Sequence, residues 1–180
     1  MSTQIPSVHS VHFYTEGSAL ISRLCGIVSA GLQIGDAILI AATAEHRDQL
    51  VKQLQDNGVD VRRFAREGQY TMVDAGEMLK TFMRNGMPDP RLFTSSVGAT
   101  LTQARNGAHS AARGLTVFGE MVAVLWEQGR KEAALRLETL WNEALNDRSF
   151  HLHCAYLRGS FMNEADEAEI CRAHTHFVVQ

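Results

Sequence analysis

The sequence predicts an α/β sandwich with a largely parallel central sheet, and three observations carry that expectation. Strand-like and helix-like signals alternate from end to end. The apolar run Ala37–Ala42 (AILIAA) suits a strand buried on both faces. Thr43 then stands as an N-cap before Ala44 to Asn57, where Leu50, Val51 and Leu54 fall at helical spacing.

The remaining elements follow in order. Val8–Tyr14 is a β-rich start, and Glu16–Ala30 places Leu20, Leu24, Ile27 and Val28 on one helical face before an expected stop at Gly31. Gly58 is a C-cap for the Ala44 helix. Val59–Phe64 and Gln69–Val73 read as short strands. Asp74-Ala-Gly-Glu77 resembles a capping box, opening a helix with Met78, Leu79 and Phe82 that ends at Asn85-Gly86. Asp89-Pro90 restarts a helix as N-cap and N1, with Phe93, Val97, Leu101 and Ala104 as its apolar face. Gly114–Phe118 is a strand and Glu120–Gln128 a helix broken by Gly129. Arg130–Leu145 continues with Ala134, Leu137, Trp141 and Leu145 at three- to four-residue spacing. Ser149–Tyr156 is a strand, Asn163–Ala173 a helix and His174–Val179 a final edge strand. Trp126, Trp141, Met83 and Met121 follow the helical period as core residues that can equally line an apolar cavity.

Composition narrows the function. The 180 residues, 45% hydrophobic and 21% charged, with 3 prolines, read as one domain spanning 1–180 with a core of about 8–178. A net charge of −3 offers no electrostatic footprint for nucleic acid, and Arg62, Arg63 and Arg66 read as a solvated face. No membrane span or signal peptide is expected. Cys25, Cys154 and Cys171 are odd in number and irregular in spacing, which suits reduced thiols in a cytoplasm.

The turn after the Ala37 strand points to the site. A phosphate-binding loop would carry glycines and a Lys-Ser/Thr there, so that backbone N–H groups wrap the phosphates. This turn reads Thr43-Ala44-Glu45-His46, with no glycine, no lysine and an added carboxylate. Ligands of open parallel sheets bind beyond the carboxyl ends of the strands. Those ends read Tyr14, then Thr43 with Glu45 and His46, then Asp74, Glu120 and Tyr156. His12 and Tyr14, two apart in a strand, share one face. Glu45 complements the dipole of the helix it opens, and His46 either hydrogen-bonds a ligand across the vacated loop or stands as an exposed polar residue.

With those elements placed, the chain resembles the MEDS domain, the sensory domain named for methanogens, methylotrophs and the dichloromethane-response regulator. The resemblance runs from about His12 to His176. It is carried by His12-Phe-Tyr14, Gly31-Leu-Gln-Ile-Gly35-Asp36, Ala42-Thr-Ala-Glu-His46 and Phe82-Met-Arg-Asn-Gly86. It continues through Phe118-Gly-Glu-Met121, Leu125-Trp126, Leu137-Glu-Thr-Leu-Trp141-Asn142, Cys154-Ala-Tyr156 and Ile170-Cys171 with His174. That resemblance implies a RecA-like three-layer sandwich whose P-loop is lost. It also implies a non-enzymatic sensor of a small, hydrocarbon-derived molecule, and a possible homo-oligomer. Neither a kinase module nor a helix-turn-helix accompanies the domain in these residues, so the output is expected to pass in trans to a histidine kinase or transcription regulator. Glu120 falls where such ATPases carry the acidic end of the Walker B strand, but no P-loop lysine stands opposite it.

The expected ligand-binding set is His12, Tyr14, Thr43, Glu45, His46, Glu120, Tyr156 and His174, with no catalytic residue and no cofactor. The C-terminal third also holds His151, His153, Cys154, Cys171, His174 and His176. His151 and His153 share a strand face that Cys154 does not, and Cys154, Cys171 and His174 need a fourth ligand. No Cys-x-x-Cys pair is present, so no metal is expected. Two other classes stay open beside the sensor. One is an adaptor with no ligand, and the other a residual nucleotide or metal enzyme with Glu120 as base.

Overall fold

Six parallel strands form the middle of the molecule, in the order β3-β2-β6-β7-β1-β8, with every neighbouring pair parallel. The structure, a computed structural model, describes residues 7–109 and 113–179, and side chains as far as residue 175. The strands are β1 (Val8–Tyr14), β2 (Ala37–Ala42), β3 (Tyr70–Asp74), β6 (Leu115–Gly119), β7 (His151–Leu157) and β8 (His176–Val179). A separate two-stranded hairpin joins β4 (Met83–Arg84) to β5 (Met87–Pro88).

Helices cover both faces, which is why β2 and β6 are apolar at almost every position and wholly buried. On one face lie α1 (Gly17–Ile34), α2 (Ala44–Asp56) and α3 (Val61–Arg66), packed on Tyr14, Ile38, Ile40, Tyr70 and Phe118. On the other lie α4 (Ala75–Phe82), α5 (Pro90–Arg105), α6 (Met121–Glu127), α7 (Lys131–Asp147) and α8 (Glu164–Ala173). They meet Val11, Phe13, Leu39, Val117, Leu152 and Tyr156. The strand period of two sorts each strand between these cores. The three-layer α/β sandwich is the architecture the sequence predicts.

Side-chain caps fix several helix starts. Thr43, Asp74, Asp89 and Asn163 each accept a backbone N–H from three residues ahead, as their residue types favour. Three expectations are corrected. Val59–Phe64 is not a strand, because Asp60 caps the N–H of Arg63 at 2.9 Å and nucleates α3 in its place. α1 does not stop at Gly31 but runs to Ile34, and Gly35 at φ 88° supplies the left-handed cap. Gly31 is instead a close-approach residue, where a Cβ would lie 2.7 Å from Ile38 Cδ1. Asn85-Gly86 does not end a helix: with φ of 48° and 84° it forms the two-residue turn of the β4–β5 hairpin, one turn after α4 has ended at Phe82.

At 18 residues, α1 is long and apolar enough to cross a membrane by length and composition. Here it serves as a core helix, with Leu20, Ile21, Leu24, Cys25, Val28 and Leu32 buried against the sheet side.

Candidate functional site

The topology singles out one crevice. From β2 the chain moves outward to β3, whereas from neighbouring β6 it moves the other way to β7. The connections therefore diverge between β2 and β6, and the carboxyl end of that gap is where ligands of open α/β sheets bind. Thr43 and His46 come from the turn after β2, and Glu120 from the turn after β6.

Glu120 fills the gap. Its Oε2 accepts the backbone N–H of Thr43 at 2.7 Å, and its Oε1 is paired with Nδ1 of His46. Glu120 stands at the N-cap of α6 without capping it, since its side chain reaches across to β2 instead. Its own N–H donates to Ala41 O at 2.8 Å, which closes the two strand ends together. A carboxylate thus occupies the anion-favouring start of α2 that a phosphate would otherwise use.

Above this pair the site is rich in hydrogen-bond donors. Tyr14 stands edge-on to His46, with ring centroids 6.4 Å apart, and is buried at the end of β1. The first turn of α1 has no side-chain cap. A Cβ at Gly17 would lie 3.6 Å from His46 Nε2, so the missing side chain leaves that nitrogen approachable. The hydrogen bond to Glu120 raises the His46 pKa above its ordinary value, against the lowering effect of burial. Burial, then the charges of Glu120 and Glu127, raise that of Tyr14, which keeps its phenol protonated. Imidazole, phenol and bare helix N–H groups together offer donors to a ligand oxygen or other acceptor.

The other expected residues lie elsewhere. Glu45 is exposed and pairs with Gln49 on the outer side of α2. His12 shares the Tyr14 face, but it is buried against α1 and neither ring nitrogen has a hydrogen-bond partner among the described residues. Asp74, at the end of β3, caps α4 and binds Arg47 at 2.7 Å.

Tyr156 and His174 belong to the opposite face, in a second and fully enclosed cluster. Tyr156 Oη donates to Glu138 Oε1 at 2.6 Å. His9 Nε2 lies 3.3 Å from Glu138 Oε2, His174 Nε2 lies 3.5 Å from Oε1, and Cys154 Sγ lies 3.5 Å from His9 Nε2. The two imidazole rings are 4.1 Å apart. Burial lowers the His174 pKa and raises those of Cys154 and Tyr156 well above their ordinary values. Glu127, His9 and Glu138 escaped the sequence reading. The signal for Glu138 was present: it stands four residues after Ala134 and three before Trp141, on the buried stripe of α7. His9 alternates with buried Val11 and Phe13.

Clefts lie at the other end of the sheet and along its helices. One of about 210 Å³ is lined by Leu101, Arg105, Leu115, Arg148 and Phe150. Another of about 390 Å³ runs between α5 and α7, past Phe93, Gly98, Leu140 and Asp147.

Known proteins place these features. The fold is similar to that of an uncharacterized protein from Pyrococcus horikoshii, solved in complex with an unknown peptide. The likeness has a TM-score of 0.68 at 15% identity and covers 94% of this chain and 76% of that one. No curated protein matches the sequence significantly. The profile of the methanogen/methylotroph, DcmR sensory domain matches residues 8–175, which takes in the Glu120 pair and the buried cluster alike, and the chain belongs to this MEDS family.

Proposed function

We propose that this domain is a non-enzymatic sensor, binding a small molecule over the β2–β6 crevice and passing the event to a histidine kinase or transcription regulator in trans. The observation that carries the reading is the Glu120–His46 pair at the strand divergence, in a chain whose family is a sensory domain. The donors above it, Tyr14 and His46 with the uncapped start of α1, favour a compact ligand with an acceptor atom, a carbonyl compound or other hydrocarbon derivative. Thr43 takes part through its backbone N–H, which Glu120 holds. A ligand that pulls His46 or Thr43 away from Glu120 binds one arrangement of the α2 start better than the other, which is the condition for a signal.

A RecA-like ancestry belongs to the same reading. It is supported by the carboxylate at the end of β6 and by the helix start beside it, where an internal anion stands in place of phosphate. Three free thiols support a reducing, cytoplasmic setting.

A second reading, a ligand-free adaptor for peptides or proteins, is favoured by one observation: Glu120 is already satisfied from within. The peptide in the Pyrococcus horikoshii structure accords with it. Thermal melts against a panel of short carbonyl, alcohol and halogenated hydrocarbons separate the two. The sensor reading expects stabilisation by at least one compound, lost in Tyr14→Phe and His46→Gln. Stabilisation that survives both substitutions overturns the location.

A further inference from the structure

We propose that the enclosed cluster on the other face of the sheet, His9, Glu138, Cys154 and His174, binds one zinc-type divalent transition-metal ion per chain. It rests on no part of the ligand-sensing reading. One ligand atom from each residue lies within 4.8 Å of all the others. Zinc bonds of ~2.0–2.1 Å to nitrogen or oxygen and ~2.3 Å to sulfur put tetrahedral ligands roughly 3.3–3.6 Å apart. The cluster shows 3.3 Å for His9 Nε2 to Glu138 Oε2, 3.5 Å for His174 Nε2 to Glu138 Oε1 and 3.5 Å for Cys154 Sγ to His9 Nε2. With Oε2 as the Glu138 ligand atom, the first and third of these distances match edges of such a tetrahedron, while the second runs to the other carboxylate oxygen.

Outer hydrogen bonds aim the ligands inward. Nδ1 of His174 lies 2.7 Å from Ile170 O, which can only accept, so Nδ1 carries the proton. Nδ1 of His9 lies 2.8 Å from Oδ1 of Asn142, whose amide is oriented by its own donation from Nδ2 to Ala173 O. In their neutral form both rings then present the Nε2 lone pair to the centre, the tautomer that a metal requires. Tyr156 engages Glu138 Oε1, and leaves Oε2 buried without an aligned hydrogen bond. His174 Nε2 is likewise buried without a hydrogen bond among the described residues.

Charge completes the argument. Glu138 is fully buried, and the only basic side chains within ion-pair distance among the described residues are the two histidines. A divalent ion with one carboxylate, one thiolate and two neutral imidazoles sums to zero. Binding releases the Cys154 thiol proton to solvent. The competing account is a carboxylate–imidazolium pair, in which a proton takes the ion's place and Cys154 stays a thiol. Four protein ligands leave no open position, so the ion is structural or regulatory. Cys171, which the sequence groups with Cys154 and His174, is absent from the set.

The test is titration of chelator-treated, full-length protein with cobalt(II). One equivalent should bind with thiolate-to-cobalt charge-transfer absorption, and zinc should bleach it. Cys154→Ser should abolish the band and Cys171→Ser preserve it. Tyr156→Phe, which disturbs only the outer hydrogen bond, should weaken cobalt binding about 10–100-fold. Wild-type protein that takes up no cobalt, or takes it up without the thiolate band, overturns the site and supports the protonated pair. So does a band that persists in Cys154→Ser. Should that variant fail to fold, alkylation of the wild type in mild denaturant decides. Zinc should shield Cys154 while Cys171 still reacts, and equal labelling of both with and without zinc overturns the proposal.

Discussion

Glu120 and Thr43 meet across the divergence of the sheet, the carboxylate of the residue after β6 accepting the backbone N–H of the residue after β2 at 2.7 Å. The same carboxylate holds His46 with its other oxygen. One side chain thus ties two strand ends and a helix start, and supplies negative charge where the dipole of α2 favours it. The sensing proposal turns on this tie, because anything that displaces it changes how α2 sits on β2 and β6.

If the pair acts as a unit, its two halves are not additive. Glu120→Gln, which keeps the shape and removes the charge, should cost about 2 kcal/mol, the scale of a hydrogen bond to a charged group. His46→Gln in the Glu120→Gln background should add little, leaving a coupling of about 1 kcal/mol or more in a double-mutant cycle by chemical denaturation. Independent, additive costs would show that the contact does not hold the crevice.

The same pair makes stability fall with alkali. Its hydrogen bond to Glu120 raises the pKa of His46 in the folded protein above the unfolded value of about 6.5. The folded state therefore binds the proton more tightly, and the contribution is complete below about pH 6.5 and lost as pH rises through the raised value. Melting temperatures of wild type and His46→Gln should differ most at the acid end of this window and converge above it. A constant difference would contradict the protonated pair.

Two glycines separate packing from propensity. Gly107 lies against the turn at Gly68, where a Cβ would stand 1.8 Å from the Gly68 carbonyl oxygen, so Gly107→Ala should destabilise by about 3 kcal/mol. Gly26 lies on the exposed side of α1 with nothing within 4 Å of an added Cβ. Gly26→Ala should stabilise by about 0.5–1 kcal/mol through helix propensity alone. Urea denaturation of the two variants gives opposite signs if the packing is right.

Gln69 is a buried tie between elements. Its Nε2 donates to Leu32 O at 3.0 Å and Asp36 O at 2.9 Å, fastening the end of α1 to the approaches of β2 and β3. Gln69→Leu keeps the volume but removes both donations, leaving Leu32 O with only the Gly35 N–H at 3.2 Å, and should cost about 2 kcal/mol. A neutral result in the same denaturation assay would mean that water reaches both carbonyls.

What the sequence made legible follows from where the deciding forces act. The apolar run of β2 and the caps at Thr43, Asp74 and Asp89 are local signals, and the elements they mark stand where expected. Val59–Phe64 misled because its β-branched and aromatic content reads as strand, while Asp60 settles the matter with one side-chain cap. Gly31 looked like a stop, yet its role is set by Ile38 on a different element. At the site, Tyr14, Thr43, His46 and Glu120 could be read from strand ends once a parallel sheet was assumed. Tyr156 also ends a strand, but its parity on β7 turns it to the opposite face, toward Glu138. Strand order and face are long-range properties. No window of the sequence brings His9 to Glu138 and Cys154: the β1–β7 pairing sets His9 beside the Cys154 strand, and the packing of α7 on β1 brings Glu138 to it.

The central claim, that the crevice above Glu120 and His46 receives a small molecule, is tested most directly by native mass spectrometry of the purified protein against its denatured mass. The account predicts a non-covalent mass increment of a small organic molecule, retained by the wild type and lost in the Tyr14→Phe, His46→Gln double variant. A bare protein mass that also shows no adduct after incubation with the compound panel would contradict it, and would leave the adaptor reading in its place.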